Sequence, residues 1–531
     1  MATCHPVRLY KKWVFSISDP FDIEKLNTGK MFLTNLKVNT TNMKPFKNFI
    51  LLLLLGISIQ LPAKDYKASL FGIKSDGITL NTTSIQKAID YISENGGGRL
   101  VFYVGRYLTG SVFMKDNVSI QLQEGAILVG SPNPFDYQKV LAQPALILAQ
   151  NQRNIGITGK GVIDGQGFIV ANNIIDLVYK GLIKDNLADD RPGASRPFDI
   201  YFRGCSNVVI QGITLKDPCA WTLVNDQCRN VVISKVTLDS KAFWNNDGID
   251  IVDCDSVSIT GSYIDAADDG ICLKSQDPAS LCRNIYVYNN TIRSSANGIK
   301  FGTASFGGFR DVKIINNLVF DTYRSAITIS AVDGATVENI IVDSLRAINT
   351  GNAIFLCTGE RQKGKKGKMS NISISNVFVE VPSAKPDAGY RYEGPVEDMP
   401  RNISPASIVG MPDAMIENVT LKNIEIHYPG GGNPNFAKVG PDKLDSIPEV
   451  LAKYPEFSMF KELPAWGFFI RHAKNIRFEN ITLTCGKPDY RTAVVLSDIQ
   501  GAAFKALTVT EPGSKKDPVY SYKSTGVVIE K

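Results

Sequence analysis

One phrase recurs through most of the chain: an Asn, Asp, Ser or Thr, followed by two short runs in which β-branched and small polar residues alternate. Alternation with a period of two is typical of strands, and self-similarity at 20–50 residues is typical of a solenoid. The copies begin at Asn117, Asn154, Asn207, Asn230, Ser256, Asn284, Asp311, Thr336, Asn371, Asn418 and Asn475. This spacing leaves room for about three short strands per repeat. It predicts an all-β, single-domain parallel β-helix.

Only one segment, residues 82–94, has the spacing of a helix. Thr82 or Thr83 is its expected N-cap. Its apolar face is formed by Ile85, Ala88, Ile89 and Ile92. Because the end of a solenoid must be covered, we expect this short helix to cap the N-terminal coil. The stretches 380–412 and 428–448 are expected to be long loops.

The N-terminal region differs from the repeats. Residues 50–59 are an apolar run too short for a bilayer, which needs ~20 residues. With Lys44 and Lys47 before it, the run predicts a signal peptide over 43–63. Residues 1–42 are then interpreted as an extension of the gene model. We therefore expect residues 64–531 to be an exported β-helix domain, periplasmic or extracellular, without a stable membrane anchor.

Charge and scarce residues exclude several classes of protein. The formal net charge is +6, of which residues 1–63 contribute +5 through eight basic and three acidic residues, so a nucleic-acid partner is not indicated. The chain has 3 His, with none between residues 6 and 426, which argues against Ser–His catalysis and histidine metal sites. Eight cysteines follow residue 63, without a CxxC pair. We expect them to be buried and unpaired rather than a disulfide framework.

A second alignment of strand segments defines the register of neighbouring coils more closely than the recurring phrase does. Five segments share a turn residue, a small residue and an alternating apolar strand, which places one isoleucine per coil inside the helix. The aligned isoleucines are Ile249, Ile271, Ile299, Ile327 and Ile354. The outward row beside them is Asp250, Cys272, Lys300, Thr328 and Phe355, and the next outward row is Val252, Lys274, Gly302, Ser330 and Cys357.

An acidic cluster precedes these strands. Asp247 is expected to lie over Asp269, and Asn246 over Asp268, with adjacent coils ~4.8 Å apart. Asp250 and Asp265 are expected nearby. Carboxylates this close cannot all ionise easily, so at least one pKa should rise. A protonated acid beside an ionised base is what hydrolysis of a glycosidic bond requires.

The chain resembles glycoside hydrolase family 28, the polygalacturonase family of right-handed parallel β-helices. The resemblance covers roughly residues 66–500, including GKGVIDGQG at 159–167. Asn245-Asn246-Asp247 matches the family's Asn-Thr-Asp motif, and Asp268-Asp269 matches its Asp-Asp motif. The resemblance implies that Asp268 is the general acid, that Asp247 and Asp269 activate water, and that the configuration inverts. Asn245 becomes a candidate substrate-binding residue.

Two departures from the family pattern concern substrate binding. The family's histidine is replaced by Asn297, and its Arg-Ile-Lys motif by Thr328-Ile329-Ser330. The family's basic residues are associated with a galacturonate carboxylate. The nearest cations here are Lys274, Lys300 and Arg324, with Arg361 in the basic loop 360–369. Together with Asn297, these are the remaining candidate substrate-binding residues.

The resemblance implies a pectic substrate, either galacturonate- or rhamnogalacturonan-type. A polysaccharide lyase and a non-catalytic glycan-binding solenoid are alternatives. Trp221 and Trp244 are either sugar platforms or packing residues. We expect a monomer with no cofactor, no metal and no nucleic-acid partner.

Overall fold

The computed structural model describes residues 64–185, 195–391, 404–436 and 439–530. The predicted signal peptide and gene-model extension lie outside these ranges. In the described residues the chain winds into a right-handed parallel β-helix whose coils each contribute up to three strands. The predicted fold class is confirmed. No helix in the described part of the chain is long and apolar enough to cross a bilayer.

The strands fall into three columns that run along the solenoid. The first column carries the candidate site and contains β4 (Val112–Phe113), β8 (Gln143–Gln150), β11 (Phe198–Arg203), β14 (Leu223–Asp226), β17 (Ile249–Val252), β20 (Ile271–Ser275), β23 (Ile299–Ser305), β27 (Ala406–Val409) and β31 (Val519–Tyr522). The second contains β1 (Asp65–Lys67), β2 (Gly98–Phe102), β5 (Val118–Leu122), β9 (Arg153–Gly159), β12 (Ser206–Gln211), β15 (Arg229–Ser234), β18 (Asp255–Thr260), β21 (Cys282–Tyr288) and β32 (Thr525–Glu530).

The third column contains β3 (Gly105–Thr109), β6 (Ala126–Gly130), β10 (Val162–Asp164), β13 (Thr214–Lys216), β16 (Thr237–Ser240), β19 (Tyr263–Ala266) and β22 (Thr291–Ser294). Later coils have long strands that pass through two or three columns: β24 (Gly308–Ala331), β25 (Thr336–Thr358), β26 (Lys368–Glu380), β28 (Ile416–Tyr428), β29 (Ala465–Cys485) and β30 (Thr492–Thr510). A small antiparallel pairing joins β7 (Lys139–Val140) to β8.

The Asn that begins most repeats has a local structural role. Asn154, Asn207 and Asn230 all have φ near +55°, a conformation that Asn tolerates better than most residues. The Asn207 amide donates to Asn154 at 2.9 Å, and the Asn230 amide donates to Asn207 at 3.1 Å. The repeated Asn therefore turns the chain and hydrogen-bonds to the coil before it.

The predicted helix is α1 (Thr82–Glu94), and its buried residues are the four expected ones. Asn81, rather than Thr82 or Thr83, precedes it as the N-cap. The helix packs on the first coils and covers the N-terminal end of the core.

A second helix, α2 (Gly167–Tyr179), was not predicted. It begins where the chain leaves β10, and a Cβ at Gly167 would lie 2.1 Å from the Pro218 carbonyl oxygen, so only glycine permits this close approach. Val170, Ala171 and Ile174 are buried on one face. The expectation that residues 82–94 form the one helix was therefore wrong.

The core is a continuous apolar column inside the coils. All eight cysteines in the described residues are buried and unpaired, as expected. Parallel strands buried on the inner face stack identical or similar side chains from coil to coil.

Truncating one member of this column should destabilise the protein. Ile271 is fully buried, so Ile271→Ala should lower the free energy of unfolding by about 2–5 kcal/mol through lost burial and the remaining cavity. Val209→Ala, on the exposed side of β12, is the matched control and should change it by less than about 0.5 kcal/mol. Urea denaturation followed by circular dichroism measures both. Equal losses in the two variants would contradict the assigned inward register.

Candidate active site

The predicted isoleucine column is present. Ile249 pairs with Ile271, Ile271 with Ile299, Ile299 with Ile327, and Ile327 with Ile354. Because side chains alternate along a strand, the residues that follow these isoleucines point away from the core. In the same register, the outward row is Asp250, Cys272, Lys300, Thr328 and Phe355.

The next outward row is only partly as predicted. Val252 pairs with Lys274, and Ser330 with Cys357. Gly302 lies beside Ser330 of this row, since a Cβ built on it would be 2.7 Å from Ser330 Oγ. It does not pair with Lys274, because the register between β20 and β23 shifts after Leu273. The irregularity interrupts the row immediately beyond Lys274.

Two stacked turns bring the three predicted catalytic aspartates together. The Asp268 amide donates to the Asn246 carbonyl at 3.3 Å, and the Gly248 amide donates to the Asp269 carbonyl at 3.0 Å. Asp247 and Asp269 are only 4% and 3% exposed, whereas Asp268 is partly exposed. One carboxyl group therefore reaches solvent beside two that do not.

The two asparagines of the Asn-Asn-Asp turn have different roles: Asn246 holds the turn in place, and Asn245 contacts Asp268. The Asn246 side chain is bonded only within the fold, to Phe243, Pro218 and Ala220. Asn245 instead donates to Asp268 Oδ2 at 3.3 Å and accepts from Arg196 Nη2 at 2.9 Å. Asn245 thus orients the exposed carboxyl group, and Arg196 holds Asn245 in place.

Lys274 lies against two of the acids, Asp247 and Asp250. Its Nζ is 2.7 Å from Asp250 Oδ1 and 3.2 Å from Asp247 Oδ2, and it lies 4.4 Å from the centre of the Trp221 ring. Burial raises the pKa of Asp247 well above its usual range, with a further contribution from Asp250, and Lys274 offsets this only in part. Burial also raises the pKa of Asp250, to about 6, despite the ion pair with Lys274.

Lys300 lies against another of the acids, Asp269, and is only 1% exposed. Its Nζ is 3.0 Å from Asp269 Oδ2 and donates to the Tyr454 hydroxyl at 2.8 Å. Burial alone would raise the pKa of Asp269, but Lys300, Lys274 and the Asn297 hydrogen bond outweigh it and hold the pKa below its ordinary value. The pKa values of Asp247 and Asp269 are therefore driven apart, as an acid–base site requires.

The two departures from the family motifs form one hydrogen-bonded chain. The Asn297 amide donates to Asp269 Oδ1 at 2.9 Å, and its carbonyl accepts from Thr328 Oγ1 at 2.8 Å. Thr328 thereby orients the amide toward the carboxylate. Asn297 and Thr328 position Asp269.

Sequence reasoning missed two residues of the site, Tyr454 and Glu456. Both lie in residues 439–463, here termed the cover segment, which packs over the outward face of the later coils. Glu456 Oε1 is 2.7 Å from Arg324 Nη1 and 3.6 Å from Lys300 Nζ. Tyr454 places its ring 4.8 Å from Lys300 Nζ. The cover segment thus supplies one carboxylate and one aromatic ring to the site.

The sequence does contain a signal for this packing. Outward positions of the later coils change from polar to apolar, and the cover segment carries matching apolar residues. The buried cluster that they form contains Phe355, Cys357, Val409, Phe469 and Val495 from the coils and Leu444, Ile447, Phe457, Phe460 and Leu463 from the cover segment. An apolar outward row on a solvated solenoid indicates that something covers it.

Other predicted residues lie apart from this network. Arg361 lies just after the end of β25, and its Nε is paired with Asp333 Oδ1 at 3.2 Å. Asp265 was expected beside the acids, but it accepts from Tyr390 at 2.6 Å and pairs with Lys241 at 2.5 Å. Asp265 therefore belongs to a separate cluster.

A cavity of about 620 Å³ opens on the N-terminal side of the acids. Its lining includes Trp221 and Asn245. The Trp221 ring stacks on Phe198 with centroids 5.2 Å apart and an interplanar angle of 16°. Trp221 thus lines the cavity while its ring packs on Phe198 and Lys274. The Trp244 carbonyl accepts a hydrogen bond from buried Arg196.

Asp247, Asp269 and Cys272 offer donor atoms within 4.8 Å of one another. The Lys274 ammonium already lies 3.2 Å from Asp247 Oδ2 and 2.9 Å from Cys272 Sγ. A metal ion bound to this trio would face that positive charge at close range. The donor set therefore does not suit a cation, since Lys274 supplies the compensating charge.

The comparisons with known proteins agree with this arrangement. The family model described as glycosyl hydrolases family 28 matches residues 107–425, which include both aspartate turns. The chain belongs to this family. It is accordingly a glycoside hydrolase. Of the three hypotheses drawn from the sequence, the hydrolase is confirmed over the polysaccharide lyase and the non-catalytic glycan-binding solenoid.

Individual relatives are distant. An exo-poly-alpha-D-galacturonosidase of Dickeya chrysanthemi is 23% identical over 431 residues, which cover 67% of this chain and 70% of the relative. The solved structure of a family 28 exopolygalacturonase from Yersinia enterocolitica has a TM-score of 0.58 at 20% identity, covering 88% of this chain and 78% of that one. A hyperthermoactive exopolygalacturonase from Thermotoga maritima has a TM-score of 0.57 at 21% identity, covering 70% and 88%. The two structures show the shared fold.

Removing the Lys300 ammonium should shift the pH profile. Lys300→Met removes the largest charge that lowers the pKa of Asp269, so that pKa should rise. If Asp269 must be ionised to work, the acidic limb of kcat/KM should move to higher pH. Lys453→Met, at an exposed lysine of the cover segment, is the control and should leave the limb in place. An unchanged limb in Lys300→Met would show that Asp269 does not govern it.

Proposed function

We propose that this protein is an inverting hydrolase of glycosidic bonds in a pectic polysaccharide or oligosaccharide. The observation that carries the proposal is the stacking of the Asp247 turn on the Asp268-Asp269 turn, with the pKa values of Asp247 and Asp269 driven in opposite directions. The names of the relatives, an exo-poly-alpha-D-galacturonosidase and exopolygalacturonases, support the substrate class.

In this proposal Asp268 is the general acid. It is the partly exposed member of the three, and Asn245 fixes one of its oxygens at 3.3 Å. Its proton passes to the glycosidic oxygen as the bond to the anomeric carbon breaks. Its exposure lets it reach a substrate that the buried aspartates cannot contact directly.

Asp247 and Asp269 act on water. Asp269, kept ionised by Lys300, accepts the proton of a water molecule that attacks the anomeric carbon from the opposite face. Asp247, with its raised pKa, donates a hydrogen bond and fixes that water. One displacement inverts the configuration, and the acid and base exchange protons with solvent afterwards.

The predicted substrate-binding residues divide into two groups. Asn245 lines the cavity beside Trp221, so it is placed to contact the sugar chain directly. Lys274, Asn297 and Lys300 hold the catalytic carboxylates, so they act through those groups as positioning residues. Arg324 acts through Glu456, and Arg361 stays a prediction without a contact to the acids.

The export of the protein to the periplasm or beyond is part of the same proposal. It rests on the predicted signal peptide and on the size of a pectic polymer, which is met outside the cell. A monomer is proposed as well.

Asp268→Asn should reduce turnover of a pectic substrate by at least about 100-fold, since general acid catalysis contributes at that level. Folding should be unaffected because the residue is partly exposed. Asp311→Asn is the matched control, because Asp311 occupies an exposed turn position that Asn fills in other repeats. Reducing-sugar release and circular dichroism measure the two properties. Wild-type turnover in Asp268→Asn would refute the assignment of the acid.

The products should distinguish hydrolysis from elimination. NMR of the first products should show inverted anomeric configuration. Ultraviolet absorbance of the same products should show no unsaturated uronide. Chelator should not lower turnover, because the Lys274 ammonium, 3.2 Å from Asp247 Oδ2, would repel a metal ion bound there. Loss of activity in chelator that calcium restores would instead support a lyase.

A further inference from the structure

The acid cluster includes one carboxyl group that does not come from the strand columns. Glu456 belongs to the cover segment, 132 positions after Arg324, and its Oε1 lies 2.7 Å from Arg324 Nη1. The same oxygen lies 3.6 Å from Lys300 Nζ, which is also 3.0 Å from Asp269 Oδ2. Glu456 and Asp269 therefore share one buried ammonium, and the cover segment adds a negative charge beside the proposed base.

The stacking of turns also brings Arg324 near the proposed general acid. Asp268, Ala296 and Arg324 occupy the same position in three successive coils, and the Arg324 amide donates to the Ala296 carbonyl at 2.7 Å. Ala296 has only a methyl group, which leaves room between its two neighbours in this column. Burial lowers the pKa of Arg324, but Glu456 and Asp268 outweigh it and hold the pKa above its ordinary value. Asp268 is therefore within electrostatic range of the pair.

The Arg324–Glu456 pair does not cancel its own charges. Glu456 meets Arg324 through Oε1, whereas Glu456 Oε2 and Arg324 Nε are buried without a hydrogen-bond partner in the described chain. Burial raises the pKa of Glu456, Arg324 and Lys300 offset this only in part, and Asp269 and Asp268 raise it further. Such coupling is mutual, so the Glu456 carboxylate makes ionisation of both aspartates less favourable.

Other charged or titratable groups face the same carboxyl groups, and their effects differ in sign. The ammonium and guanidinium groups favour ionised aspartates, whereas the other carboxyl groups oppose ionisation. Among the described residues, the groups around Asp268, Asp269 and Glu456 are Asp247, Asp250, Cys272, Lys274, Lys300, Arg324 and Tyr454. Of the carboxyl groups, Glu456 is supplied by a distant segment, so its charge can be removed without altering the strand columns.

We propose that Glu456 is a positioning residue that sets the pH range of the reaction: its carboxylate keeps the acid Asp268 protonated, and holds back ionisation of the base Asp269, to a higher pH than the strand columns alone would allow. Glu456 acts through these aspartates and through the cations it shares with them. This inference rests on the proposed hydrolase function and adds a control of that same site by the cover segment.

The test measures the pH dependence of kcat and kcat/KM for the full-length protein and for Glu456→Gln. The substrates are oligogalacturonides and oligomers of alternating galacturonate and rhamnose, and the profiles use whichever the wild type cleaves faster. The acidic limb reports a base that must be ionised, and the basic limb reports an acid that must be protonated. Loss of a nearby negative charge favours ionisation of both, so both limbs should move to lower pH by about one unit. On the basic limb, kcat/KM should therefore fall about tenfold.

Two further variants separate this role from a structural one. Lys300→Met, which removes a positive charge, should move the acidic limb to higher pH, opposite to Glu456→Gln. Damage to the fold would instead lower kcat at every pH and leave the limbs in place. Glu456→Asp keeps the charge but withdraws it by one methylene group, so it should move both limbs to lower pH by less than Glu456→Gln does. It also provides the measurement if Glu456→Gln does not fold.

Glu449→Gln is the matched control. Glu449 lies in the same cover segment and also pairs with an arginine, Arg471, at 2.5 Å. Arg471 is four coils beyond Lys300 and therefore ~19 Å along the solenoid. Both limbs of Glu449→Gln should coincide with those of the wild type.

The outcomes distinguish this inference from the proposed function. Limbs that stay in place or move to higher pH in both Glu456 variants would overturn the role of Glu456 and leave the hydrolase intact. Loss of turnover at every pH in Glu456→Gln, to the level of Asp268→Asn, would also overturn it, since Glu456 would then be needed for the chemistry itself. A wild type that cleaves none of the oligomers would overturn the proposed pectic function, and this inference with it.

Discussion

The in-register stacking of parallel coils is the constraint on which the rest of this structure depends. Neighbouring strands lie ~4.8 Å apart, so a residue at one position of a coil contacts the residue at that position in the next. For Ile271 between Ile249 and Ile299 this repetition builds a core. For Asn207 between Asn154 and Asn230 it builds a hydrogen-bonded ladder. The same stacking brings carboxylates so close together that their charges repel one another, which is a problem for the stability of the fold.

The chain resolves that problem with buried lysines on the same strand column. Lys274 bridges Asp247 and Asp250, and Lys300 is paired with Asp269. Each ammonium also lies against an aromatic ring, Trp221 for Lys274 and Tyr454 for Lys300. Because the two aspartates receive unequal compensation, their pKa values move in opposite directions, and stacking that would otherwise destabilise the fold becomes an acid–base arrangement.

Features with a short sequence period could be predicted, and features that depend on distant segments could not. The alternation around Ile271 and Ile299 is local, and the coil spacing then determines which residues stack. Helix α2 was missed because the close approach of Gly167 to Pro218, which sets its start, is not visible in helical spacing. The missing pair between Lys274 and Gly302 was not predicted, because a register shift leaves no trace in the alternation.

Tyr454 is the most instructive omission. It lies 154 positions from Lys300 in a segment without periodicity, so no alignment of repeats could bring it to the site. Its presence was indicated only indirectly, by apolar residues such as Phe355 and Phe469 on outward positions that a solvated coil would leave polar.

The cover segment also has a consequence for the order in which the protein matures during synthesis. A solenoid can grow coil by coil from its N-terminus, since each coil contacts only its neighbours. The aspartates, Lys274 and Lys300 would then be assembled in a nascent chain that has not yet acquired Glu456. At that stage Arg324 lacks its carboxylate partner, and the cleft is more positive than in the finished molecule. The cover segment therefore sets the electrostatic character of a site whose aspartates lie more than a hundred residues earlier in the chain.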